Sequence, residues 1–425
     1  MNILPKKFYR LKYTIFEILA HIYISPYDFL KVLFLIVEDK RHNKKSNAEE
    51  KHFKLFDERA TIIVIDDQIP EFDHTAGDRT LFQYIQLYID MGFSVKFIPD
   101  DFTKREPYTS LLEQMGVEVI YGKYCKKHYE EWVCKNAEKI DFVMLNAPRS
   151  IKYIDLFKKY TKAKILYYGM DMYFIREYSI YAVNGQKKNL KASKYYKKIE
   201  LLLYDKADIL LTISAKEAKE MSAFTKNKNI YVMPCFFYKD FPDAQYDFSA
   251  RKDLIFVGGE RELANKDGIQ WFCEQILPHI LQKISDIKLF VVGYYEDSFI
   301  GKYSCGNIIF KGNISDSELN SLYSSIRLSL APLRFGAGVK GKVVEALSLG
   351  VPVVSTDFGI EGIPDIESII SAANDEKSFA EKIVSMYNNR FYLEKASGLS
   401  LNFAKEHFSY QHAFDLMSDL LRIEK

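Results

Sequence analysis

Long uninterrupted apolar runs are missing from this 425-residue sequence. Residues 8–37 are rich in Phe, Tyr, Leu and Ile, but Lys12, Glu17, His21, Asp28 and Lys31 interrupt them and Pro26 breaks the run. Neither a spanning helix nor a cleavable signal peptide is expected there. Cysteine is scarce: the five residues, at 125, 134, 235, 273 and 305, are odd in number and form no CxxC pair. Reduced, cytosolic thiols are expected, and a zinc site is not. A dominant sign of charge is also lacking. With 59 Lys+Arg against 57 Asp+Glu, the formal net charge of +2 makes no overall case for nucleic acid as a partner. No aspartate cluster of the DxD kind stands out, so no divalent metal is expected.

What is present is globular in character. Hydrophobic residues make up 48% and charged residues 27%, and aromatics reach 15%. The length suits about two domains plus an extension. Residues 1–57 carry 11 Lys+Arg against 7 Asp+Glu, a balance of +4, with Lys6, Lys7, Arg10 and Lys12 at the front. Two readings of this segment stand. A basic, aromatic-rich stretch suits the interface of an anionic membrane, through residues 1–40, and a helical hairpin packed on the neighbouring domain or another subunit suits it equally. Residues 40–57, dense in charge, read as an exposed linker.

Beyond them, short β-rich runs at 61–65, 94–99, 117–120, 142–145, 164–168, 209–213 and 230–233 alternate with helical patterns such as 80–91 and 111–115. That alternation predicts a parallel sheet covered by helices on both faces, over residues 58–235. Residues 236–252, with Asp240, Pro242, Asp243 and Asp247, interrupt it as a linker. Strands at 253–257, 288–292, 308–311 and 328–330 and helices at 268–284 and 316–324 then predict a second doubly wound domain, residues 253–405. A C-terminal helix is expected over 406–425.

The densest chemistry lies in Ala331-Pro-Leu-Arg-Phe-Gly-Ala-Gly-Val-Lys-Gly-Lys-Val-Val-Glu-Ala-Leu-Ser-Leu-Gly-Val-Pro-Val-Val354. A buried strand ends at Leu330, Gly336 and Gly338 let the backbone approach a ligand, and apolar spacing from Val339 predicts a helix stopped by Gly350. The first amides of such a helix attract phosphate, and Arg334, Lys340 and Lys342 strengthen the attraction. Glu345 lies five residues past Lys340, about 7.5 Å along a helix, an offset that suits a ribose diol while phosphates sit at the helix start. A Gly-rich turn before an ordinary amphipathic helix is the alternative. Gly258-Gly259, after the strand ending at Val257, is either a second ligand loop or a tight turn.

Pro332-Leu-Arg-Phe-Gly-Ala-Gly-Val-Lys-Gly-Lys342, with Glu345, Gly350 and Pro352, resembles the donor-site signature of the group 1 glycosyltransferases, retaining enzymes of the two-domain GT-B fold. The resemblance extends over roughly residues 60–420, through Leu254–Gly259, Asn265–Phe272, Asp73-His-Thr-Ala-Gly-Asp-Arg79 and Asp171-Met-Tyr-Phe-Ile-Arg176. It implies two Rossmann-like α/β domains facing across a cleft, behind a helical N-terminal extension, with the C-terminal helix crossing back onto the first domain. Many members carry a second Glu eight residues before this one, where this chain has Ala337, so Glu345 alone is taken as the ribose ligand.

The implied activity is transfer of a sugar from a nucleotide diphosphate sugar to a glycan or lipid-linked acceptor, with retention and without a metal, in surface polysaccharide or glycoconjugate synthesis at the cytoplasmic face of the membrane. Arg334, Lys340 and Lys266 would stabilise the leaving diphosphate. Glu345, Gly336, Gly338, Val339, Gly258, Gly259 and Asn265 would bind the donor on the second domain, and Gly77, Asp171 and Tyr173 on the first. Tyr173 replaces a His common in relatives and is as well suited to aromatic packing; Asp171 and Arg176 form a candidate ion pair. His74 is a candidate base, although a loop histidine is more often solvated, and Asp78 reads as a helix N-cap. No permanently bound cofactor is implied. A nucleotide-sugar epimerase or phosphorylase, and a degenerate glycan-binding scaffold, are the alternatives. The oligomeric state, the base, the sugar and the acceptor are not encoded legibly.

Overall fold

The computed structural model describes residues 51–242, 247–336 and 338–422. The expected N-terminal extension and its membrane contact through 1–40, and Ala337, lie outside the described residues. Two compact units divide the chain, one from described residues of 51–71 with 84–211 and 220–231, the other from 72–83, 212–219 and 232–422.

The first sheet contains β1 (Thr61–Asp66), β2 (Ser94–Pro99), β3 (Glu118–Val119), β4 (Phe142–Asn146), β5 (Lys164–Gly169), β6 (Ile209–Thr212) and β7 (Ile230–Val232), in the order β3-β2-β1-β4-β5-β6-β7. Neighbours β2–β3, β1–β2, β1–β4 and β4–β5 run parallel. Every residue of β1, Thr-Ile-Ile-Val-Ile-Asp, is buried, because a parallel strand covered on both faces has no solvent side. Between the strands run α1 (Ala76–Asp90), α2 (Tyr108–Gln114), α3 (Gly122–Lys135), α4 (Ile151–Tyr160), α5 (Tyr173–Asn184), α6 (Lys187–Lys206) and α7 (Ala215–Phe224). Helices α5 and α6 form a hairpin turned by Gly185, whose φ of 65° favours glycine. Leu145, Phe157, Ile165 and Leu203 are among the residues filling this core.

The second sheet is β8 (Lys252–Val257), β9 (Leu289–Val292), β10 (Ile308–Gly312), β11 (Ile326–Ala331) and β12 (Val353–Ser355), in the order β10-β9-β8-β11-β12 and parallel throughout. Helices α8 (Leu263–Trp271), α9 (Leu277–Leu281), α10 (Asp297–Tyr303), α11 (Asp316–Ser325), α12 (Gly341–Ser348), α13 (Asp357–Ile360), α14 (Glu376–Tyr387), α15 (Arg390–His407) and α16 (Tyr410–Leu420) accompany it. Phe256, Trp271, Phe272 and Leu330 lie in its core. Chain order reverses between β8 and β11, the position at which open α/β sheets bind ligands beyond their strand ends.

Three local expectations are corrected. The helix expected from Gly268 starts at Leu263 and passes through a π-helical turn, Phe272–Ile276, before α9. Gly268 is interior because a Cβ there would sit 2.7 Å from the Pro332 carbonyl oxygen, so glycine lets α8 press against the loop after β11. The helix expected from Thr80 starts at Ala76. Thr75, not Asp78, caps it: its hydroxyl accepts from the Asp78 N–H at 3.1 Å and donates to the Asp78 carboxylate at 2.8 Å. Finally, the described end of the expected exposed linker at 40–57 is anchored, with Phe53 and Phe56 stacked on Trp132 at 4.8 and 5.5 Å between ring centroids.

Candidate functional site

The second sheet's reversal brings two glycine loops side by side, one after β8 and one after β11. After β8, Gly258 has φ 149° and its N–H donates to the Val292 carbonyl at 2.8 Å. A Cβ on Gly258 would lie 2.6 Å from Asn265 Nδ2 and 2.7 Å from Lys342 Nζ. Gly293, directly after β9, is equally confined: its Cβ would meet the Gly258–Gly259 peptide at 2.7 Å. Gly293 escaped the sequence reading, although a glycine straight after the β9 run was its signal.

Asn265 lies in the first turn of α8 and links the two loops. Its Nδ2 donates to the Gly259 carbonyl at 3.0 Å, and its Oδ1 accepts from Lys342 Nζ at 2.5 Å. Lys342, in α12, also sits 4.0 Å over the Phe256 ring. Burial pushes the Lys342 ammonium down to about 7, Lys340 adds like-charge repulsion, and Glu262 acts in the opposite direction. Lys342 is therefore poised to change charge near neutral pH, which sequence spacing had shown only as one basic residue among three.

On the β11 side, Gly336 and Gly338 have φ of 129° and 71°, which accounts for both glycines. Lys340 is the N-cap residue of α12, and its Nζ donates to the Gly338 carbonyl at 2.5 Å. Its Cε lies 3.5 Å from where a Gly336 Cβ would be. Val339 packs against the turn at Gly362, 3.3 Å from the Cβ position there. Lys340 and the first amides of α12 thus lie at the β11 loop and Lys342 at the neighbouring β8 loop, a positive locus suited to an anion.

Glu345 lies one turn and more into α12. Its side chain is 17% exposed, its Oε2 accepts from the buried Tyr323 hydroxyl at 3.2 Å, and Arg79 stands 3.8 Å from Oε1. Burial raises the Glu345 carboxyl above its ordinary range, while Arg79 and Tyr323 act to lower it. Tyr323 and Arg79 were not found from sequence, since nothing local marks either as a neighbour of Glu345.

The other expected cations are charge-matched. Arg334 holds Asp267 in a two-pronged contact, Nε to Oδ2 at 2.9 Å and Nη2 to Oδ1 at 2.5 Å. Lys266 pairs with Glu260 at 3.0 Å. These partners reduce the positive field that Arg334 and Lys266 offer to an incoming diphosphate. His74 is 60% exposed beside Asp73, at 3.9 Å, and Gly77 lies in the first turn of α1.

Asp171 and Tyr173 belong to the first unit and are described there alone. Asp171 pairs with Arg176 at 3.2 Å, and the Arg176 guanidinium covers the Tyr173 ring at 4.2 Å. The backbone N–H groups of Tyr173 and Phe174 both donate to the buried Glu200 carboxylate at 3.0 Å. Burial pushes the Tyr173 hydroxyl well above its usual range. The ion pair read from sequence is present, and Tyr173 is packed among Arg176 and Tyr196.

A direct test of the glycine geometry follows. Gly258→Ala must displace Asn265 or Lys342 and is expected to destabilise the protein by about 1–3 kcal/mol in denaturant unfolding. Gly301→Ala, inside α10 and with a Cβ that would meet nothing within 4 Å, is the uncrowded control and should leave the protein as stable as before or up to about 1 kcal/mol more stable.

Residues 251–389 match the family described as Glycosyl transferases group 1. An uncharacterized 44.6 kDa protein in the cps region of Klebsiella pneumoniae is 27% identical over 246 residues, covering 54% of this chain and 62% of that protein, so the match spans less than two thirds of the relative. A sucrose-phosphate synthase from Thermosynechococcus elongatus superposes with a TM-score of 0.62 at 15% identity, covering 85% of this chain and 98% of the other. TarM, known from S. aureus, gives 0.66 at 11% identity over 87% and 99%. Anabaena HepE, in complex with UDP and glucose, gives 0.59 at 13% identity over 85% and 99%. At such identities these likenesses speak to fold alone. Residues 251–389 thus match a group 1 glycosyltransferase family domain, within a chain whose two parallel α/β sheets have the GT-B fold.

Proposed function

We propose that this protein is a glycosyltransferase that moves a sugar from a nucleotide diphosphate sugar to a glycan or lipid-linked acceptor, with retention, in surface polysaccharide or glycoconjugate synthesis. The observation that carries the reading is the juxtaposition, at the β8/β11 reversal, of the glycine loops, Lys340, Lys342 and the α12 N-terminus, with the half-buried Glu345 carboxylate farther along the same helix. The relative in a cps region and the complex of HepE with UDP and glucose support the same substrate class.

In this reading the diphosphate lies against the loop at Gly336 and Gly338. Lys340 and the α12 amides hold the negative charge that grows as the glycosidic bond to the phosphate breaks. Lys342, nearly balanced between amine and ammonium, gains its proton as the phosphate approaches, because a nearby anion favours the charged form. Glu345 accepts hydrogen bonds from the two ribose hydroxyls. No carboxylate of this site is assigned as a nucleophile, since Glu345 is committed to ribose; the departing phosphate oxygen takes the acceptor proton. Arg334 contributes to the diphosphate only by exchanging Asp267 for it.

The deciding experiment incubates the full chain with a panel of nucleotide sugars, with and without glycan and lipid-phosphate acceptors. Release of nucleoside diphosphate that requires an acceptor, with a product of unchanged anomeric configuration by NMR, is the expected result. An isomerised donor would replace transfer by epimerisation, and binding without turnover would replace it by a binding role.

A further inference from the structure

Helix α6 carries Lys187, Lys188, Lys191, Lys194, Lys197, Lys198 and Lys206 against Glu200 and Asp205. At 100° per residue, Lys187, Lys191, Lys194 and Lys198 fall within an arc of about 60° and span about 16 Å of helix. All four are exposed, whereas Ser193, Ile199, Glu200, Leu203 and Tyr204 on the opposite arc are buried. One acidic residue of the helix, Asp205, is exposed on this arc, beyond its lysine end. Glu200 is 0% exposed and accepts from the first amides of α5, and Asp205, two turns beyond Lys198, accepts from the Thr225 hydroxyl at 2.8 Å.

Apolar side chains accompany the lysines. Leu202, one turn past Lys198 on the same arc, is 46% exposed, and Tyr178 on the partner helix of the hairpin is 55% exposed. Phe224 is 38% exposed with Lys197 Nζ 4.8 Å over its ring. A lysine stripe on a folded surface that also exposes aliphatic and aromatic groups beside it has the composition of an element that rests in a headgroup region. A polyanion in solution would be met by the lysines alone and would leave Leu202, Tyr178 and Phe224 wet. Among the described residues no helix is long and apolar enough to cross a bilayer, so any hold on lipid by this part of the chain is of the peripheral kind.

We propose that the exposed face of α6, with Tyr178, Leu202 and Phe224, docks on an anionic membrane surface. The proposal rests on the first unit alone, and neither the sugar-transfer reading nor any role for residues 1–50 enters it.

The test is sedimentation of the full chain with phosphatidylcholine vesicles, with and without phosphatidylglycerol, at low and physiological salt. Binding should require phosphatidylglycerol and weaken with salt. Combined Lys187→Glu, Lys191→Glu, Lys194→Glu and Lys198→Glu should lower the partition coefficient at least tenfold, because each surface lysine contributes about fivefold to such binding. Leu202→Asp should lower it separately, with an unchanged circular dichroism melt for both variants, since the sites are exposed. Unchanged partition in the charge variant would overturn the proposal. So would a loss confined to the charge variant with Leu202→Asp inert and soluble polyphosphate competing fully, which would identify a polyanion partner instead.

Discussion

Glu345→Gln is expected to lower the affinity for the nucleotide part of the donor about 100-fold while leaving the folded protein at least as stable as before. A half-buried carboxylate accepting from a ribose diol makes two charge-assisted hydrogen bonds, each contributing about 1.5–3 kcal/mol. Glutamine offers one acceptor oxygen and turns an NH₂ toward the second hydroxyl. The loss of roughly 3 kcal/mol converts to about two decades. Stability should move the other way. Burial raises the Glu345 carboxyl, so between the unfolded and folded values the native state binds more protons than the unfolded chain, and stability falls as pH rises through that window. Near neutral pH the ionised carboxylate is therefore a cost to the fold that glutamine removes. Calorimetric titration with nucleoside diphosphates, paired with thermal unfolding, separates the two effects. Acidifying the wild type should weaken nucleotide binding at a higher pH than an ordinary glutamate would dictate. Unchanged affinity in Glu345→Gln would remove the ribose assignment.

Glu118→Ala is expected to destabilise the first unit by about 3–5 kcal/mol. Lys96 and Glu118 face each other in the β2–β3 register, are 2% and 5% exposed, and form an ion pair. The pair is enclosed: Phe56 lies 4.3 Å and Trp132 5.9 Å from Lys96 Nζ, and the Lys54 N–H donates to Glu118 at 2.6 Å. Removing the carboxylate leaves an ammonium with no anion in an apolar pocket, the costliest way to break such a pair. Replacing both partners, as Lys96→Met with Glu118→Leu, should recover most of the loss, because neither desolvation penalty remains. Denaturant unfolding of the three variants checks this. A Glu118→Ala protein within 1 kcal/mol of wild type would show that water reaches the Lys96 ammonium in place of the lost partner.

The parts of the site that could be read in the sequence are those whose physics is local. Gly336 and Gly338 need left-handed backbone, Lys340 sits at a helix start, and Gly350 ends that helix with φ 64°. Each signal occupies a few adjacent residues. Strands β1, β4 and β11 were legible for a similar reason, as continuous apolar runs. Helix starts were less so: Thr75 took the capping role from Asp78, and Leu263 preceded the expected start because Gly268 was a packing glycine and not a boundary.

Apart from the local Asp171–Arg176 pair, polar pairing at the site was illegible where the partners are far apart in the chain. Arg334 and Asp267 are 67 residues apart, and Lys342 and Asn265 are 77 apart. Composition therefore determined that this is a globular chain with a near-neutral balance, the alternation of strand and helix patterns that it is α/β, and local glycine and lysine placement where an anion loop lies. Only the tertiary structure decided which cations remain less compensated, with Arg334 and Lys266 matched by acids and Lys342 desolvated over Phe256. It also put the β8 loop beside the β11 loop and lined one face of α6 with lysine. Those outcomes depend on which strands become neighbours and which side chains lose water, and both are set by packing between segments distant in sequence.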